Sequence, residues 1–366
     1  MNDKGQLIIN RVILDTCYSA IGGGMLFNIS HTVELVISNY SYFGACTASG
    51  NGAGVYITTS NVANKVLIKD NVKFDICNCP GGSGGGAYID AKNSQSVILD
   101  QVLFSQCNAQ TSGGGLFLEI GENTTSKIIN YCSFANCKIT NGIGGGIYAS
   151  INGPNSNILI SDSILFDTCT SSAEGGALYF QYNYAGTIIL DRVSFKDCKG
   201  SSGGAIYAQI IIPGSKLSIL NQTTFGQCNS TVGNGGAIYT EVKGTGSEIQ
   251  ISNSINIDNC NTPITADGGG AMYLKVQDNG SAILDSVTIN KCSSKEGGGI
   301  WVQIEAGCSF KMTNRSSIRG SVITTGNGGN IHAVINGADA KFELSNDINI
   351  DDCQITPGVG GGGYFL

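Results

Sequence analysis

The chain has 366 residues, 53 of them glycine and 14 cysteine, with 13% charged residues and a formal net charge of −7. Its glycines do not recur every third position, which excludes a collagen helix, and its 41% apolar content excludes a disordered chain. It has no basic run, so neither nucleic acid nor an anionic membrane surface is an expected partner, and no apolar stretch of membrane-spanning length occurs.

The stretch Ile189 to Tyr207, ILDRVSFKDCKGSSGGAIY, returns with substitutions twelve times. Such a period overrides any division by length, because stacked repeats build one continuous core. The expected domain is therefore a single one over 1–366. No signal peptide is expected at Met1, since the opening residues lack an uninterrupted apolar region.

One cysteine per unit serves as a ruler: Cys17, Cys46, Cys77, Cys107, Cys137, Cys169, Cys198, Cys228, Cys260 and Cys292, then Ser321 in its place, then Cys353, at steps of 29 to 32 residues. Nine residues before it stands a large apolar residue in every unit, such as Ile37, Ile68, Ile98, Ile189 and Met312. Three before it stands Phe or an aliphatic residue, such as Phe43, Phe74, Phe104, Phe195 and Ile257. Alternation with period two among branched residues is the signature of strands. Seven before it, every unit carries Asn or Asp, from Asn10 and Asn39 to Asn346. Asx residues tolerate the left-handed backbone region and satisfy turn amides, so this row marks a corner of each coil and not a set of catalytic groups.

After each cysteine comes a short loop and a glycine pair, Gly203-Gly204 in the type unit, the second glycine being replaced only by Ala53. No Lys-Ser/Thr and no helical pattern follows, so the glycines are read as a tight turn and not as a phosphate loop. Two residues beyond the small residue that follows each pair comes the aromatic row: Phe27, Tyr56, Tyr88, Phe117, Tyr148, Tyr179, Tyr207, Tyr239, Tyr273, Trp301, His332 and Phe365. Its immediate neighbours are apolar, as at Val55 and Ile57, and strand residues one apart face opposite ways, so the rings are expected to point away from the core.

These elements predict an all-β fold, a right-handed single-stranded parallel β-helix of about 12 coils of about 30 residues, each with about three strands. The pairing of GGAIY, unaltered at Gly203–Tyr207 and Gly235–Tyr239, with FSQC at Phe104, FANC at Phe134, FKDC at Phe195 and FGQC at Phe225, resembles the polymorphic outer membrane protein repeat. That family is known from chlamydial surface autotransporters and large protist surface proteins, and pairs GGAI with Phe-x-x-Asn. The resemblance implies a parallel β-helix acting as an adhesin, extracellular or at the cell surface. Two departures, Cys for Asn and the lack of a C-terminal barrel, fit a protist surface or secreted protein better than a bacterial autotransporter.

Of the cysteines, eleven belong to the ruler row, Cys132 and Cys308 fall in strand rows, and Cys79 falls in a loop. A ladder of reduced, buried thiols is expected, because parallel Cβ vectors suit disulfides badly. The two histidines, His31 and His332, lie near no cysteine pair, so neither a metal nor a cofactor is expected.

Three functions are open to such a surface. The first is a non-catalytic structural or adhesive element that self-associates laterally or head-to-tail. From Phe365 to the end and from Met1 to Cys17 of a second copy spans 18 residues, close to the internal spacing, and an outward apolar stripe (Leu7 and Ile9, Val97 and Leu99, Ile188 and Leu190) offers a lateral surface. The second is glycan binding along the strip Tyr56, Tyr88, Phe117, Tyr148, Tyr179, Tyr207, Tyr239, Tyr273 and Trp301, beside a polar row holding Asp90, Glu119, Gln181, Gln209, Glu241 and Gln303. The third and least favoured is a polysaccharide lyase or glycosidase, for which Asp90 with Glu119 is the best carboxylate pair and Asp351-Asp352 the other. No catalytic residue is expected.

Overall fold

The computed structural model describes residues 5–323, 326–355 and 358–366. All regular structure among them is β-strand, laid down as parallel coils, about 12 turns of β-solenoid in all. By packing the chain divides into two compact units, Met1–Ala173 with Ala177–Ile188, and Glu174–Gly176 with Ile189–Leu366. Each is described by itself.

One coil of the first unit shows the plan. It has four strands, one more than expected: Lys65–Lys69 (the Ile strand), Lys73–Asp75 (the Phe strand), a two-residue strand Asn78–Cys79, and Ala87–Asn93 (the aromatic strand). Each pairs in parallel with its counterpart in the next coil. In the first unit Phe43, Phe74, Phe104, Phe134 and Phe166 lie side by side in register. In the second unit Phe195 and Phe225 begin the equivalent row, which Ile257, Ile289, Ile318 and Ile350 continue. The Phe side chains are fully buried and their rings stack at 4.6 to 4.9 Å. Like residues stacked on like residues need no change of rotamer or volume from coil to coil, which is how a 30-residue repeat fills a core at native density.

Three left-handed backbone positions per coil turn the chain. The first is the leading glycine of each pair, with positive φ in every coil, from Gly22 to Gly360. At the following glycine the constraint is space: a Cβ on Gly204 would run into the carbonyl oxygen of Gly236 in the next coil. The second lies just before the ruler cysteine, at Thr16, Ala45, Ile76, Gln106 and their equivalents, and was not anticipated from sequence. Its amides keep the ladder running around the bend, as in Ile76 N to Ser105 O at 2.9 Å and Gln106 N to Ala135 O at 2.8 Å. The third is the Asx corner.

The Asx corner exists in two forms. In eight coils two successive residues are left-handed, as at Asn39-Tyr40, Asp70-Asn71, Asn221-Gln222 and Asn314-Arg315. In the other four only the residue after the Asx is left-handed, at Arg11, Gln101, Arg192 and Ser286. Dropping one left-handed residue slides the preceding strand by one position, and a slide of one turns every side chain to the other face. The uniform inward row at nine before the cysteine is thereby corrected. Leu99 and Leu284 stand in register with the buried Ile128 and Ile251, while Ile98 and Ile283 face outward beside Lys127 and Gln250. The outward apolar stripe is corrected too. Val97, Leu99, Ile188 and Leu190 are fully buried, and Leu7 and Ile9 align with the buried Leu35 and Ile37. The outward row in the first unit is instead Ile8, Val36, Leu67 and Ile98.

The aromatic row shifts at both outermost coils. Leu26, not Phe27, pairs with Tyr56, and Tyr364, not Phe365, pairs with His332. In each case the leading glycine sits four residues before the paired position, at Gly22 and Gly360.

Candidate functional site: the aromatic ladder and its polar row

The aromatic strands hold each ring on the outer side. The flanking Val55, Ile57, Ala87, Ile89, Leu116 and Leu118 are fully buried, and the rings alternate with them. In the first unit Tyr56, Tyr88, Phe117, Tyr148 and Tyr179 stack with centroids 4.8, 4.3, 4.8 and 5.7 Å apart. In the second, Tyr207, Tyr239, Tyr273 and Trp301 stack at 4.7, 5.2 and 4.2 Å, within 10° of parallel. All nine predicted strip residues thus lie in two ladders, one per unit.

The rings face outward yet are not open. Phe117 and Tyr239 are 9% exposed, Trp301 8%, Tyr148 7% and Tyr273 2%, while Tyr56, Tyr88, Tyr179 and Tyr207 are half-buried. Strand spacing of about 4.8 Å is close to the thickness of two aromatic faces, so each ring covers its neighbours and presents mainly an edge and a hydroxyl to solvent. Burial raises the Tyr148 hydroxyl to about 12, with the nearby Glu119 carboxylate adding to the rise.

The polar row is in register as expected: Thr58, Asp90, Glu119, Ser150 and Gln181 in the first unit, and Gln209, Glu241, Lys275 and Gln303 in the second. It binds the ladder. Tyr148 Oη donates to Gln181 Oε1 and Tyr239 Oη to Glu241 Oε1, both at 2.6 Å. Lys275 Nζ lies 5.6 Å from the Tyr273 ring centre.

Asp90 and Glu119 do stand side by side, but Lys92 joins them, with Nζ 3.7 Å from Asp90 Oδ2 and bonded to Glu119 Oε2. Burial pulls the Lys92 ammonium down, and the two carboxylates outweigh it and raise it overall. Sequence reading had missed Lys92. Its place two residues after Asp90 on the same strand, hence on the same face, was the available signal. Asp351 pairs with Arg319 at 3.5 Å, whereas Asp352 is a left-handed corner residue, so those two carboxylates diverge.

The cysteines stand as thiols, and all but Cys17 and Cys353 are buried. Ruler thiols donate to the Phe-row carbonyl of the preceding coil, as in Cys77 Sγ to Phe43 O at 3.3 Å and Cys107 Sγ to Phe74 O at 3.4 Å. Three placements are corrected. Cys79 is not in a loop but in the short strand, fully buried, whereas Cys132 and Cys308 lie just before the strands Ser133–Ala135 and Ser309–Thr313. Ser321 fills the cysteine position of its coil, buried with its hydroxyl unpartnered among the described residues. His332 continues the second ladder beyond Trp301, 4% exposed, with Nδ1 3.4 Å from Glu296 Oε2.

Fold and surface together define a class: a parallel β-solenoid repeat protein whose side chains are organised into ladders of like residues. Comparison with protein-family models, curated proteins and solved structures returned no match for this chain.

Proposed function

We propose that this chain is a non-catalytic structural and adhesive element, extracellular or at a cell surface, a Cys-containing variant of the polymorphic outer membrane protein type of repeat that associates with further copies of itself. The observation that carries this reading is the stacking of like residues from coil to coil within each unit. Phe meets Phe, Tyr meets Tyr and Asx meets Asx, with Asn39 Nδ2 donating to Asn10 Oδ1 at 2.9 Å and Asn253 to Asn221 at 3.0 Å. A coil edge left uncovered offers an unpaired parallel strand whose rows match those of any other coil, so a second copy can continue the stack. Negative-stain imaging tests the association. Fibres whose axial repeat is a multiple of about 4.8 Å are expected, and single particles at all concentrations would refute it.

A second reading, glycan binding, is favoured by the half-buried Tyr56, Tyr88, Tyr179 and Tyr207 beside Asp90, Gln181 and Gln209. With the faces engaged in stacking, a sugar would meet ring edges and hydroxyls. Glycan-array binding lost on Tyr88→Ala would promote this reading over the first.

A further inference from the structure

The ladder of the second unit differs from that of the first in two respects that bear on electron transfer. Every rung from Tyr207 through Tyr239 and Tyr273 to Trp301 is an oxidisable ring, stacked at 4.2 to 5.2 Å, whereas Phe117, which is far harder to oxidise, interrupts the first ladder. The buried hydroxyl of Tyr239 donates at 2.6 Å to a carboxylate, Glu241 Oε1, which can take a proton. The corresponding hydroxyl of Tyr148 donates to the amide oxygen of Gln181, which cannot.

We infer that the second ladder is a radical relay, carrying an oxidising equivalent from Trp301 to Tyr239 and lodging it there as a tyrosyl radical with Glu241 as proton acceptor. The oxidant is a one-electron oxidising radical from solution, such as the azide radical. It takes one electron from the Trp301 indole and leaves as azide anion, the indole N–H remaining in place. An electron then passes from Tyr239 through the Tyr273 ring and refills Trp301. As it leaves, the Tyr239 hydroxyl proton crosses the existing hydrogen bond to Glu241 Oε1. The products are intact Trp301, a neutral radical on Tyr239, a protonated Glu241 and azide. Tyr239 is the terminus because its hydroxyl already donates to a carboxylate that takes the proton, and Tyr273 is the bridge because the Lys275 ammonium 5.6 Å from its ring disfavours a lasting radical cation there.

Trp301 is the chain's one tryptophan, so its radical is an unambiguous starting signal. Pulse radiolysis of the full chain in azide solution, followed by transient absorption, provides the test. In the parent protein the indolyl radical should decay with matching growth of a tyrosyl radical. Glu241→Gln keeps a hydrogen-bond acceptor but removes the proton acceptor, and should slow that decay by about a hundredfold, the scale of a positioned proton-transfer group. Tyr239→Phe keeps the stack and should abolish the coupled growth. Circular dichroism establishes that both variants are folded, and Glu241→Gln, altered only at an outward side chain, carries the test alone if Tyr239→Phe unfolds. Indolyl decay within threefold of the parent in Glu241→Gln, or undiminished tyrosyl growth in Tyr239→Phe, overturns the relay.

Discussion

At the scale of the residue, the chain places ordinary side chains where the backbone is left-handed. Ile76 is the sharpest case: a β-branched residue at φ 53°, 51% exposed, just before Cys77. The left-handed region costs an L-residue about 1–2 kcal/mol, and Asn tolerates it best after glycine. Because Ile76 contributes little to the core, Ile76→Asn should raise stability by about 1 kcal/mol. A lower urea midpoint would contradict this. Ser321 is the complementary case, a buried hydroxyl with no hydrogen-bond partner among the described residues, at a position where the other coils carry a thiol. An unsatisfied buried hydroxyl costs about 1–3 kcal/mol, so Ser321→Cys should stabilise by about 1 kcal/mol in reducing buffer. The check is again equilibrium unfolding, and no gain would show that the hydroxyl is satisfied in solution. Ser321→Cys brings an atypical coil into line with its neighbours, which carry Cys292 and Cys353.

At the scale of the element, stability resides in rows and not in single strands. Phe104 is fully buried between Phe74 at 4.9 Å and Phe134 at 4.6 Å, and its ring also packs under the backbone of Gly86. Phe104→Ala removes one ring and strands two others beside the cavity, so a loss of about 4 kcal/mol is expected. A denaturant titration giving less than about 1.5 kcal/mol would mean that the row collapses to fill the gap. The outer aromatic row is built the same way, and its stacking accounts for why outward rings are so little exposed. Its period was legible in the sequence. The availability of its faces was not, because alternation along one strand reveals which side a ring takes but not what the adjacent coil lays over it.

At the scale of the whole molecule, the stacked thiols tie stability to pH. Burial pushes Cys79 and Cys132 up to about 12 from 9.0, and holds Cys107, Cys228 and Cys260 well above the usual thiol range. A thiol whose folded pKa lies above its unfolded value contributes stability that is intact below pH 9 and is lost as pH rises from 9 towards the folded value. Because the unfolded thiol is already half-ionised at pH 9, each costs about 1 kcal/mol between pH 9 and 10, so five together cost about 5 kcal/mol, comparable to the stability of a marginal domain. Circular dichroism with reductant present should show cooperative unfolding near pH 10, while acidification from pH 9 to pH 7 should add only about 0.4 kcal/mol for each of these five thiols. Stability that stays flat to pH 11 would contradict the buried thiol rows.

The sequence by itself determined the period, the parallel coil, the inward Phe and cysteine rows and the glycine corner, because each depends on a residue type repeated at one phase. The polar row beside the rings was legible for the same reason. The tertiary structure decided what depends on neighbours. Between Ile98 and Leu99, two aliphatic residues competed for one inward place, and the backbone of Gln101 settled it by taking the only left-handed position in that corner. The bend before each cysteine carries residues as different as Thr16, Ala45, Ile76 and Lys291, so side-chain chemistry did not announce it. It is held by amides bonded to the next coil, a contact that exists only once the coils are stacked.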